Sequence, residues 1–184
     1  RLRGVAGRSF DVRFQEWPGG DGKHLREAVR WLALESGCWP GKRRCAVEAR
    51  NVTVTGDGWT DVSFDGGFTA RPIVFTQVHT ANTESAVTAL LRGVTKDGFE
   101  VALFTREGGA QQEEVSFFAV DPRVSRLDGS EWRVGMASRK IGQEPVVVRA
   151  AGQDYTLRLQ GPGWDREELP RAHVTTLVLP EVLN

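Results

Sequence analysis

The sequence predicts an all-β protein built from antiparallel β-sandwich units in tandem, the first of them truncated. Three observations carry this expectation. Short runs alternate apolar and polar residues, as in Phe10, Val12 and Phe14 against Asp11, Arg13 and Gln15. That period of two marks a strand with one buried face. Glycine-rich turns separate such runs, and 21 of the 184 residues are Gly, which suits short strands joined by tight turns. The chain also matches itself, and a repeat decides what the structural unit is.

The organising stretch is Leu91 to Asp121, which reads as two strands and a loop. Residues 2–37 are a second copy. Leu2-Arg3-Gly4-Val5 matches Leu91-Arg92-Gly93-Val94, and Phe10, Val12 and Phe14 match Phe99, Val101 and Leu103, at an offset of 89. Beyond the loop, Val29, Leu32, Ala33 and Leu34 match Val115, Phe118, Ala119 and Val120 at an offset of 86. A third copy is expected at 155–181, where Tyr155, Leu157 and Leu159 match Phe10, Val12 and Phe14, and Val174, Leu177 and Leu179 match Val29, Leu32 and Leu34, at an offset of 145.

The expected units are then 1–37, the C-terminal half of a β-sandwich; 38–51, a linker with a cysteine loop; 52–122, a complete unit; and 123–184, a degenerate third unit. The first copy begins inside a unit. Either the chain is a fragment, or residues 1–37 complete their sheet with strands from elsewhere. A half-sandwich alone exposes an apolar face and an open edge.

In order, Phe10–Gln15 is a strand, and Glu16–Lys23 is a turn-rich loop. His24–Leu34 allows two readings. Leu25, Val29 and Leu32 fit one face of a helix, but the matching segments Glu113–Val120 and His173–Leu179 are β-branched and aromatic, so a strand is expected. Trp59–Phe64, Ile73–Val78 and Ala86–Leu91 are the next strands. Pro72 opens the second of these, a position that tolerates proline. Lys96-Asp97-Gly98 is a hairpin turn. Trp132, Val134 and Met136 echo Trp59, Val62 and Phe64, and Pro145–Val148 echoes Pro72–Phe75. Trp31, Trp59 and Trp132 are expected as core or interface anchors.

Lys+Arg and Asp+Glu number 24 each, so the net charge is zero. No broad attraction to nucleic acid or to an anionic membrane is expected. No apolar run approaches the roughly 20 residues of a membrane span. Cys38 and Cys45 flank a Pro-Gly turn that can bring the sulfurs together. A disulfide is the preferred reading and points to an oxidising compartment; two independent thiols are the alternative. Asn51-Val52-Thr53 is a glycosylation sequon, relevant only on a secretory route.

The middle unit can be written W-x-x-V-x-F, P-x-V-F, a polar loop, V-T-x-x-G-F-x-V and V-S-F-x-A-V, with Val94–Phe99 and Val115–Val120 as its most specific phrases. This resembles the H-type lectin domain of snail agglutinins and discoidins. The resemblance implies six-stranded antiparallel sandwiches, oligomers, and binding of a galactose-type sugar through an Arg ahead of the V-T-x-x-G-F strand and a Trp in the loop after it. Those positions fall near Ala86 and at Arg106 in the middle unit. Trp17 matches the loop Trp in the first unit, and Trp164 lies two residues displaced in the third. No unit carries the complete family site.

The candidate ligand residues are Trp17, Asp21 and His24 in one loop, His79 and Asn82 in another, and Arg106 and Trp164. An aromatic face stacks on a pyranose, while Asp, Asn and His exchange hydrogen bonds with hydroxyls. Packing at a sheet edge is the alternative for Trp17, and an ordinary solvated loop for His79 and Asn82. No nucleophile elbow, zinc-binding helix or phosphate loop is present in the sequence. The expected function is non-catalytic: a secreted or cell-surface lectin-like adhesion module needing no cofactor or metal, with glycans or other subunits as partners in a homo- or hetero-oligomer. The alternatives are a structural subunit of a larger assembly and an accessory domain of an enzyme.

Overall fold

The run Glu113–Val120 places Val115, Phe117 and Ala119 on one face, and hydrogen-bonded strands flank it on both sides. This is seen in a computed structural model that describes residues 2–14, 29, 31–40, 44–56, 58–124, 126–127, 130–131, 133–139, 146–150, 153–157 and 172–178. The chain divides into two units, Arg1–Asp121 and Pro122–Asn184. Among the described residues every regular element is a β-strand, and every strand pairing is antiparallel.

The first unit opens with a hairpin, β1 (Leu2–Ala6) and β2 (Ser9–Val12). Then follow β3 (Gly37–Trp39), β4 (Val47–Val54), β5 (Thr60–Ser63), β6 (Ile73–Val78), β7 (Thr88–Arg92), β8 (Gly98–Phe104) and β9 (Glu113–Val120). They form a four-stranded sheet in the order β3-β4-β9-β6 and a three-stranded sheet in the order β5-β8-β7. One apolar cluster draws on both sheets. Phe99 of β8 meets Phe117 of β9 edge-on at 5.2 Å, and Phe64 joins them at 5.5 and 6.0 Å. Val54, Val101 and Val115 are fully buried beside them. Burying side chains of this size supplies roughly 1.5–3 kcal/mol each.

The segment 38–51, expected as a linker, instead carries most of β3 and the first part of β4. The alternation was hidden because two core-side positions of β4 are charged. The register sets Glu48, Arg50 and Val52 opposite Ala119, Phe117 and Val115. Glu48 accepts the Asp65 amide at 3.1 Å. Arg50 donates to Asp65 at 2.8 Å and to the Ser63 carbonyl, and its guanidinium lies 5.4 Å from the Phe117 ring centre. Buried charge is tolerated where it is paired and hydrogen-bonded, and here the pairing ties β4 to the end of β5. Cys38 and Cys45 are joined, with an S–S distance of 2.07 Å, and the Cys45 amide donates to the Gly67 carbonyl at 2.9 Å.

The strand expected over 24–34 is not formed at its described positions, Val29 and residues 31–34, which carry no regular structure. Its counterpart β9 is hydrogen-bonded to β4 on one side and β6 on the other. No such neighbour pairs with residues 29 and 31–34 among the described residues.

The second unit contains β10 (Arg126–Leu127), β11 (Ser130–Glu131), β12 (Arg133–Arg139), β13 (Val146–Ala150), β14 (Gln153–Leu157) and β15 (Ala172–Val178). β10 pairs with β11, β12 with β15, and β13 with β14. The expected echoes of Trp59–Phe64 and Pro72–Phe75 are corrected by these pairings. In the first unit β5 pairs with β8 and β6 with β9, whereas β12 takes the β9-like strand and β13 the β8-like one. Apolar alternation located the strands, but it carries no information about which strand lies beside which.

Candidate functional site

The polar loop after β6 is organised by one carboxylate. Glu113, at the start of β9, has no solvent exposure. Its Oε1 accepts the Thr83 amide at 2.6 Å, and its Oε2 accepts the Thr80 hydroxyl at 2.5 Å and the Asn82 amide at 3.2 Å. Burial pushes this carboxyl up, but the bonds from Thr80, Thr83 and Asn82 outweigh it and hold Glu113 below the ordinary value of 4.5. The loop is thereby latched to the facing one. Asn82 Nδ2 donates to the Gln112 carbonyl at 2.7 Å, and the Gln111 amide donates to Thr83 Oγ1 at 2.9 Å.

His79 and Asn82, the candidate ligand residues of this loop, are thus engaged within the fold. His79 Nδ1 lies 2.8 Å from Ser116 Oγ, and that hydroxyl donates to Asn51 Oδ1 at 2.9 Å. A serine beside a histidine invites a nucleophile–base reading. The geometry argues otherwise: the single hydroxyl proton of Ser116 is directed at Asn51 Oδ1 and not at the imidazole. Asn51 and Thr53 of the sequon are exposed on the same sheet face. Arg106 is exposed in the β8–β9 loop, and Ala86 is buried. Trp17, Asp21, His24, Trp132 and Trp164 lie outside the described residues.

A second cluster lies on the outer face of the three-stranded sheet. Asp61, Glu100 and Arg92 occupy one cross-strand row, with Asp61 opposite Glu100 and Glu100 opposite Arg92. Arg92 donates through Nε and Nη2 to the two Glu100 oxygens at 2.8 and 2.6 Å. Its guanidinium carbon stands 4.1 Å from the centre of a Trp59 ring. These bonds hold the Arg92 guanidinium more firmly protonated and the Glu100 carboxyl below its ordinary value. Trp59, expected as an anchor, is 39% exposed on this face. The signal was available in the period of two, which places Trp59 with Asp61 and opposite Val62 and Phe64.

No family model matches the chain, and no solved structure matches it. The chain is similar to halomucin of Haloquadratum walsbyi, at 28% identity over 102 residues. That stretch is 54% of this chain and 1% of halomucin. Among the described residues no group of three or more His, Cys, Asp or Glu side chains is placed to hold a metal ion, and no helix is long and apolar enough to cross a membrane.

The Trp59–Arg92–Glu100–Asp61 row differs in kind from the Glu113 latch. The latch directs its polar groups inward and consumes them. The row lies on an exposed sheet face: Arg92 is paired with Glu100 and stacked on Trp59, and the 39% of Trp59 left exposed stands beside the edges of that ion pair and Asp61.

Proposed function

We propose that this chain is a non-catalytic, lectin-like binding module of a secreted or cell-surface protein, an H-type-like sandwich in tandem copies, with glycans or other subunits as partners. The observation that carries the reading is the outward row formed by Trp59, Arg92, Glu100 and Asp61, since an exposed aromatic ring beside charged hydrogen-bonding groups is the chemistry that recognises a sugar hydroxyl array. The Cys38–Cys45 disulfide and the similarity to halomucin support the extracellular location. The test is capture of the whole chain on a panel of immobilised glycans, repeated with Trp59→Ala. The reading expects capture by at least one glycan, lost in the variant while the unfolding midpoint moves little. Absence of capture across the panel, or capture indifferent to Trp59→Ala, overturns it.

A second reading, a structural repeat in a larger assembly, is favoured by a specific observation. Val5, Val12, Val29 and Trp31 of the first copy are 53%, 41%, 45% and 64% exposed. With Phe14 and Leu32, six large apolar side chains are exposed among the described residues of the first copy, which marks a contact surface more readily than a ligand site. Light scattering distinguishes the two: a defined oligomer that ignores every glycan supports assembly.

A further inference from the structure

We propose that the apolar side chains of the β1–β2 hairpin, with Val29 and Trp31, are a docking surface for the front half of another unit of the same type, that is, for strands equivalent to β4, β5 and β6. The inference stands on the internal repeat and does not depend on whether the module binds a glycan.

The structure repeats the β7–β8 hairpin in β1–β2. Leu2 pairs with Val12 and Arg3 with Asp11. At the offset of 89 these become Leu91 with Val101 and Arg92 with Glu100, which are the observed pairs. Gly4 and Gly93 share a left-handed backbone, with φ of 57° and 60°. Arg3 lies 3.6 Å from Asp11, as Arg92 lies 2.6 Å from Glu100. The core contact also recurs. At the offset of 86, Trp31 occupies the place of Phe117, and it meets Phe10 edge-on at 5.7 Å as Phe117 meets Phe99 at 5.2 Å.

The two copies differ in what covers them. Phe99, Val101, Val115 and Phe117 are 4%, 0%, 0% and 2% exposed, closed in by Val54, Val62, Phe64 and Val74 from β4, β6 and the β5 segment. Among their counterparts Phe10 is half-buried, and Val12, Val29 and Trp31 are 41%, 45% and 64% exposed. The uncovered face is therefore one half of a core whose complementary half is present in the same molecule. One position refines the fit. Ser9 stands where Gly98 does, and a Cβ at Gly98 would come within 2.3 Å of the Val62 carbonyl. The docked β5-like strand must accordingly stop before that pair and run opposite Phe10–Val12.

The test extends the whole chain by a second copy of residues 46–90 joined to Leu2 in place of Arg1, made with Ser9 and with Ser9→Gly. Amide exchange within residues 2–12 should slow at least tenfold, more so with Ser9→Gly. Asp11→Cys together with Asp61→Cys in the added copy should form a disulfide on oxidation, since Asp61 is opposite Glu100 in the native unit. Loss of both signals when Phe64 of the added copy is changed to Asp completes the expected result. Failure of the exchange to slow, or of the cross-link to form, while residues 47–121 keep their native exchange pattern, overturns the proposal. So does an unextended chain that is already dimeric with residues 2–12 protected, because a second copy then covers the face.

Discussion

The Thr83 amide donates to Glu113 Oε1 at 2.6 Å, joining two loops across 30 positions of sequence. Both carboxylate oxygens accept, and Thr80, Asn82 and Thr83 each donate to them. Glu113→Gln therefore turns an NH2 group toward an N–H or O–H whichever way it is placed. The expected cost is about 1–3 kcal/mol, the penalty for an unsatisfied buried polar group. Urea unfolding at pH 7 measures it. A loss within error of zero would mean that the latch is not what holds loop 79–83.

The two fully buried glutamates should respond to pH in opposite senses. Glu113 is held below the ordinary value of 4.5, so its contribution is present above that pH and lost as pH falls through its folded value. Glu48 is raised by burial, against the opposing Asp65 amide and Arg50 charge. Its contribution is full below 4.5 and is lost as pH rises through its folded value. Relative to the parent, Glu48→Gln should gain stability as pH rises above 4.5, and the deficit of Glu113→Gln should shrink as pH falls below it. Unfolding free energies from pH 3 to 7 check both slopes, and slopes of the same sign would refute the assignment.

Reducing the Cys38–Cys45 bond, or replacing both residues with Ala, should lower the unfolding free energy by about 2–3 kcal/mol, the chain-entropy value for so short a loop. The separation is seven residues. The loss should appear as a lower denaturant midpoint for residues 37–121. An unchanged midpoint in the reduced protein would show that β3 is held by its pairing with β4 alone.

These interactions divide along the line between what local pattern encodes and what it does not. The turn at Thr95–Gly98 was readable because its chemistry is local: Thr95 Oγ1 accepts the Asp97 and Gly98 amides, both at 3.2 Å. The hairpin 2–12 was readable through its match to 91–101. β4 was not, because Glu48 and Arg50 sit on its core side and are hydrogen-bonded to Ser63 and Asp65, residues no periodicity joins to them. The same holds for the candidate site. His79 and Asn82 look like free loop donors until Glu113 and Ser116 arrive beside them from β9. The Arg92–Glu100 pair depends on strand register, which only the hairpin turn hints at.

Gly98 tests how closely β5 and β8 are set within their sheet. It begins β8 opposite Ser63, and an added Cβ would lie 2.3 Å from the Val62 carbonyl and 3.2 Å from Ser63 Cα. Both neighbours are backbone, so no side chain can swing aside. Gly98→Ala must push β5 away from β8, loosening Val62 and Phe64 against Phe99. The expected cost is about 1–3 kcal/mol or more, as for overpacking in a filled core. Gly108→Ala serves as the comparison: its φ of 72° carries backbone strain, but no atom lies within 4 Å of the new Cβ. Thermal unfolding of the two variants should therefore separate crowding from backbone strain. Equal losses would mean that the β5–β8 approach is set by something other than the absence of a side chain at Gly98.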